Sequence, residues 1–168
     1  MNLKILKLSA IGLLAFSLTG CPPKKQVKKE APKPEEQAKP AEEPSLRGKD
    51  YKEVPEVVTV YFDLDQATLR SDARDALEKN YQVLKQHVDW EALVEGHCDE
   101  RGTTEYNLGL GQKRAAAIRQ YYMTLGLDGG HIATLSYGKE QPACGEHTDE
   151  CWAKNRRGVT KVRAAETK

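Results

Sequence analysis

Residues 92–126 read ALVEGHCDERGTTEYNLGLGQKRAAAIRQYYMTLG, and their order of residue types predicts a strand, a tight turn and a long helix. Ala92-Leu93-Val94-Glu95-Gly96-His97 is a short apolar run that suits a strand, and Gly102 marks the turn after it. Thr103 or Thr104 is placed to cap a helix running from about Glu105 to Leu125, and Gly126 suits its C′ position.

Working outward from this unit extends the pattern in both directions. Val57-Val58-Thr59-Val60-Tyr61-Phe62 is β-branched and aromatic and predicts a first, buried strand. After a polar loop from Asp63 to Arg70, Ser71 suits an N-cap with Asp72 in the first turn. Ala73, Ala76, Leu77, Tyr81, Leu84 and Val88 then recur near a 3.6-residue period, the stripe of a helix packed on a sheet. Ile132–Tyr137 predicts a third strand, residues 149–154 a short helical turn, and Val159–Arg163 a fourth strand. The expected architecture is an α/β (α+β) two-layer sandwich in the order βαβαβ, short helix, β. Its sheet is mixed and four-stranded, with both main helices on one face. No internal repeat is present.

The N-terminal 50 residues have a different character. Lys4 and Lys7 precede a nearly uncharged run from Leu8 to Gly20, the profile of an export signal and too short to span a bilayer comfortably. Leu18-Thr19-Gly20-Cys21 has the order of a bacterial lipobox, which makes Cys21 the expected lipid attachment site. An ordinary signal peptide with Cys21 as a bystander is the plainer alternative. From Pro22 to about Asp50 the chain is mainly Lys, Glu, Ala and Pro, with six of its eight prolines, and its only larger aliphatics are Val27 and Leu46. Such a segment buries too little apolar surface to offset its ordering entropy. It reads as a semi-stiff spacer reaching up to roughly 90 Å when fully extended. Lys24, Lys25, Lys28 and Lys29 suit either anionic headgroups or a solvated face. The expected organisation is therefore a signal at 1–20, a lipidated cysteine and tether at 21–50, and one folded domain at 51–168.

The chain has 26 basic and 25 acidic residues. Removing the two lysines ahead of Cys21 leaves 24 against 25, a balance that gives no case for a nucleic-acid partner. Export would place the remaining cysteines, Cys98, Cys144 and Cys151, in an oxidising compartment. Cys144 and Cys151 are the closest pair in sequence and are expected to be bridged. Free or metal-bound thiols are the competing reading, although six intervening residues exceed the two to four typical of structural zinc. Cys98 is left as a lone thiol.

Four stretches carry a family resemblance. They are Val60-Tyr61-Phe62-Asp63-Leu64-Asp65, Glu95-Gly96-His97-Cys98-Asp99-Glu100-Arg101-Gly102, Ser136-Tyr137-Gly138-Lys139-Glu140 and Lys154-Asn155-Arg156-Arg157. In this order and spacing, residues 57–163 resemble the OmpA-like peptidoglycan-binding domain, and within that family its lipidated, wall-associated branch. The resemblance implies a non-enzymatic domain without cofactor that holds the diaminopimelate unit of the peptidoglycan stem peptide. It also implies an anchor in the outer membrane, a domain facing the periplasm, and partners in the Tol envelope system. A wall-anchored assembly or secretion accessory without Tol partners is the alternative within the family. A scaffold that binds protein alone is a third reading, and it would need a closed or self-paired pocket.

By the same resemblance the loop aspartate of the family falls on Asp99, its helix arginine on Arg114, its asparagine on Asn107, and its late arginines on Arg156 and Arg157. Phe62 and Asp65 lie in the matching region beside the groove. Chemistry gives parallel roles. A zwitterionic ligand needs an anion for its ammonium group and a donor fork for its carboxylate, and Asp99 and Arg114 supply these. Asn107 and Arg114, seven residues apart, share one side of the helix. The plainer reading makes Asp99 a turn cap and pairs Arg114 with Asp99 or Glu95. Backbone N–H groups from Gly102 to Thr104 are further candidates for a carboxylate. Alternation is expected to send Arg156 and Arg157 to opposite faces. Cys98 departs from the alanine or threonine common in the family and suits tight packing. A His97–Cys98 dyad is disfavoured because adjacent strand residues point apart, which leaves His131 as the other candidate base.

Overall fold

The computed structural model describes Pro44 and residues 50–164. The expected signal segment, the lipid-attachment residue Cys21 and nearly all of the spacer lie outside the described residues. The elements are β1 (Val60–Tyr61), α1 (Ser71–Leu84), β2 (Trp90–His97), α2 (Thr104–Leu125), a 3-10 turn (Gly129–His131), β3 (Ile132–Gly138), α3 (Asp149–Asn155) and β4 (Arg157–Ala164).

The sheet order is β1-β4-β2-β3. β2 and β3 run parallel, joined by the α2 crossover, while β4 runs antiparallel between β1 and β2. Alternate strand residues Val60, Ala92, Val94, Ile132 and Val162 form one core with Ala73, Leu77 and Leu84 of α1 and Ala115, Ile118 and Tyr122 of α2. Both long helices therefore cover the same face, and the expected two-layer α/β sandwich is the fold.

The connection between layers is closest where α2 crosses β2. A Cβ added to Gly96 would lie 1.9 Å from the Gly111 carbonyl oxygen, and one added to Gly111 would lie 2.3 Å from Ser136 Oγ. The two glycines let the helix backbone rest directly on the strand, which sets the depth of the end of β2 beneath α2. At the helix ends, Thr103 is the N-cap of α2, its hydroxyl accepting from Tyr106 N at 3.2 Å. Gly126, with φ +111°, closes the helix.

Three local expectations change. β1 pairs over two residues rather than the six-residue run from Val57, because Val58 is instead held from the helix layer. The buried Asn80 side chain accepts from Val58 N at 2.8 Å and donates to Val58 O at 2.8 Å. Ser71 is the first helical residue rather than the cap, and Arg70 stands at the cap position with no side-chain cap bond. Val88 falls outside the α1 stripe, since the helix ends at Leu84 and Val88 is 83% exposed.

Candidate functional site

The strand-to-helix turn after β2 brings Asp99 to the C-terminal edge of the sheet, below the start of α2. Its carboxylate is nearly closed off, at 4% exposure, and is held by two guanidinium groups. Arg101 donates from Nη2 at 2.7 Å and from Nε at 3.2 Å, and its backbone N–H donates at 3.2 Å. Arg156, the C-cap of α3 just ahead of β4, donates from Nη1 at 3.3 Å. Burial would raise the Asp99 pKa, but the bonds from Arg101 and Arg156 outweigh it and keep the carboxyl below its usual range. Asp99 is therefore a fixed anion.

Arg114 lies on the first half of α2, fully buried beneath this loop. Its Nε donates to Gln66 O at 2.8 Å, Nη1 to His97 O at 2.7 Å and Nη2 to Asp63 O at 3.1 Å. Nη1 also reaches Cys98 Sγ at 3.4 Å, and the guanidinium stands 5.1 Å from the centre of the Phe62 ring. Burial lowers its pKa from the ordinary arginine value, yet a guanidinium remains charged in a protein. Among the described residues Arg114 forms neither of the ion pairs raised by the plainer reading of the sequence: Asp99 pairs with Arg101 and Arg156, and Glu95 with Lys161. The charge is instead built into the floor, tying the β1–α1 loop to the end of β2.

Between these charges lies a cleft of about 320 Å³, lined by Asp65, Cys98, Asp99, Arg101, Tyr106, Asn107, Arg114 and Arg156, with Leu64 and Leu110 as apolar walls. Asn107 shares the α2 face with Arg114 as the spacing required. Its Nδ2 donates to Arg101 O at 2.8 Å and to Thr103 O at 3.0 Å, so it holds the turn in shape. Asp65, in the left-handed region at φ 58°, accepts from the Tyr106 hydroxyl across the mouth. Phe62 is core beneath Arg114 rather than cleft wall.

The two late arginines separate as alternation requires. Arg156 faces the cleft. Arg157 is directed away, its Nη2 donating to Gln141 O at 3.2 Å and its field shared with Glu95 and Tyr61, so it is not brought into the site. His97 and Cys98 also part company. The His97 ring stacks on Tyr137 and lies 3.7 Å from Glu95 Oε2, whereas Cys98 donates to Asn107 O on the helix side. His131 abuts Trp90 O at the opposite end of β2 and does not serve Cys98. Burial pushes the Cys98 thiol up, against the pull of Arg114. Among the described residues neither His97 nor His131 forms a nucleophile–base pair with Cys98.

A second layer of contacts holds the turn from outside. The expected Cys144–Cys151 disulfide is present. It closes the segment ahead of α3, and Asn155 pins that segment by accepting from Ala143 N at 2.8 Å and Cys144 N at 3.0 Å. From this buttress, Trp152 Nε1 donates to Glu100 Oε1 at 2.8 Å and His147 Nδ1 meets the same oxygen at 2.6 Å. The Trp152 ring carries the Arg101 guanidinium 4.2 Å from its centre. Lys139 donates to Gly102 O at 2.8 Å. Arg101, Tyr106 and Trp152 were not among the residues singled out in the sequence. Only Arg101 had a local signal, two positions from Asp99.

A cleft of similar size, about 330 Å³, lies at the other end of the sheet around Leu84, Trp90 and Leu127, without a buried carboxylate or guanidinium. Among the described residues no group of three or more His, Cys, Asp or Glu side chains could hold a metal ion.

The OmpA family model matches residues 61–156, the span that contains every element of the cleft. The chain is 44% identical over 106 residues to a peptidoglycan-associated lipoprotein of Brucella melitensis, covering 63% of each protein. It is 40% identical over 101 residues to the protein of that name from Pseudomonas aeruginosa, covering 60% of each. The matches thus span less than two thirds of these relatives' lengths. Among solved structures, the crystal structure of the peptidoglycan-associated lipoprotein from Burkholderia pseudomallei superposes with TM-score 0.61 at 40% identity, over 62% of this chain and 89% of that one. The C-terminal domain of Helicobacter pylori MotB shares the fold at TM-score 0.60 and 16% identity, over 64% of this chain and 85% of that one. With the family model covering more than half of its residues, this chain belongs to the OmpA family.

Proposed function

We propose that the domain grips peptidoglycan without covalent chemistry, holding the diaminopimelate unit of a stem peptide in the cleft between Asp99 and Arg114. The observation that carries this reading is the pairing of a fixed, nearly buried carboxylate with a buried guanidinium on one small cleft. A side chain ending in an amino-acid group needs both charges. Asp99 receives the ligand's ammonium group, with Asp65 at the mouth adding negative charge. Arg114 lines the floor of the cleft and supplies positive potential there, and the Nη2 hydrogen not used in the Asp63 bond is left for a ligand carboxylate. Arg156 and Arg101 complete the cationic side. Asn107 shapes the turn.

The proposal extends to the whole chain. Residues 1–20 direct export, Cys21 carries lipid in the outer membrane, the Pro/Lys/Glu segment to residue 50 is a spacer, and residues 51–168 form the wall-binding domain. The names of the relatives in Brucella, Pseudomonas and Burkholderia favour this reading. A partnership with periplasmic Tol proteins is the finer proposal. It is tested by crosslinking in cells followed by recovery of both wall fragments and protein partners.

Asp99→Asn tests the cleft itself. Loss of a charge-assisted bond of about 1.5–3 kcal/mol should weaken sedimentation with purified diaminopimelate-type peptidoglycan by about 10- to 100-fold, with the fold retained by circular dichroism. Wild-type sedimentation by a folded Asp99→Asn protein would refute the assignment.

A further inference from the structure

The cleft does not end at Arg156. On the far side of this side chain lies a second depression of about 270 Å³, lined by Tyr61, Phe62, Arg70, Ala153, Lys154 and Arg156. Arg156 is the wall common to both spaces. Its Nε is committed to Phe62 O at 3.1 Å and one Nη1 hydrogen to Asp99 at 3.3 Å, while Nη2 makes no hydrogen bond among the described residues. Lys154, in the last turn of α3, is exposed and has neither a hydrogen bond nor an ion pair among the described residues. Arg70 is different, because Asp63 and Asp72 already take up its charge. The groups left to attract an anion are therefore Lys154 and the outer nitrogen of Arg156. Tyr61, 44% exposed, provides a flat apolar side for the same space.

We infer that this depression is a second subsite, and that it takes a carboxylate on a residue flanking the one seated between Asp99 and Arg114. The inference rests on the proposed peptidoglycan reading and deepens it. A lone cationic side chain at the surface would be ordinary. Here it stands beside unspent donors of a guanidinium that is itself anchored by two bonds, so the anion would meet a preoriented fork as well as a mobile ammonium. A stem peptide offers two such carboxylates, the free α-carboxylate of its γ-linked glutamyl residue and the terminal carboxylate of alanine. Either satisfies the same chemistry.

The test measures coupling between ligand and side chain. The full-length chain and its Lys154→Ala and Lys154→Gln variants are titrated calorimetrically with an alanyl-γ-glutamyl-diaminopimelyl-alanine peptide. Two further peptides carry an amide in place of the glutamyl α-carboxylate or the alanine carboxylate. For one of them the wild type should lose about two- to fivefold in affinity, the range of an exposed ion pair. That penalty should shrink in both Lys154 variants, the remainder being carried by the Arg156 fork, and the amide that produces it identifies the carboxylate. An equal penalty in wild type and variants, or no penalty with either amide, overturns the second subsite. Asp99→Asn run alongside separates the two claims. If it binds all peptides as the wild type does, the main cleft reading fails; if it loses them all while Lys154 shows no coupling, only the second subsite fails.

Discussion

Asp99 sits at 4% exposure and yet remains ionised, because Arg101 and Arg156 hold it from two sides. Its pKa is depressed on folding. The associated stability is therefore present above the ordinary aspartate range near 3.9 and is lost as the pH falls through the lowered folded value. Thermal unfolding followed from pH 7 to pH 2.5 should fall more steeply below about pH 4 in the wild type than in Asp99→Asn, with the two curves converging at the acid end. The same depression predicts that Asp99 does not limit ligand affinity between about pH 5 and pH 8. Parallel acid limbs in wild type and variant would show that the carboxylate titrates as an ordinary one. Asp99 was legible in the sequence because it lies in a short loop with a family pattern. The fully buried state of Arg114 was not, because the carbonyls that surround it come from residues 63, 66 and 97.

At the scale of elements, the site depends on how α2 meets β2 and on what braces the intervening turn. Gly96→Ala would drive a methyl group into the Gly111 carbonyl. The cost of such overpacking is about 3 kcal/mol, so the melting temperature should drop by about 10–20 °C; a change of less than about 2 °C would mean that the layers separate freely here. The brace is the bridged segment with α3. Cys144→Ser with Cys151→Ser should cost about 2 kcal/mol by releasing a short closed loop. It should also weaken ligand binding, since Trp152 and His147 would lose their fixed approach to Glu100. Trp152→Phe keeps a ring for Arg101 and removes the indole donor, and its binding should fall between those of wild type and Trp152→Leu. If titration calorimetry finds all three alike, the brace has no part in binding. The helix and strand positions themselves followed from periodicity and caps. β1 and the end of α1 did not, since Asn80 and the exposure of Val88 are settled by packing between layers.

For the whole molecule, the proposed link has lipid at Cys21 and a wall-binding cleft at the far end of a spacer. Deleting residues 22–40 should leave the purified protein's affinity for peptidoglycan unchanged. It should also retain the protein in membrane fractions while reducing crosslinking to the wall in intact cells, because a spacer of up to roughly 90 Å would lose about two thirds of its reach. Undiminished crosslinking would show that reach is not limiting. By itself the sequence determined the order of strands and helices. It also marked the cysteine pair and the turn that bears Asp99. These depend on composition or on neighbours within a few residues, where periodicity, capping and spacing act directly. Only the tertiary structure decided that Arg156 rather than Arg157 faces the cleft, that Trp152 carries Arg101, and that Arg114 forms a floor. The contacts responsible join residues 57, 51 and 52 positions apart, as in Arg156 to Asp99, Arg114 to Asp63, and Trp152 to Glu100. Such pairings form only when the sheet closes, because β4, which begins one residue after Arg156, is inserted between β1 and β2 after every other element has been laid down in the chain.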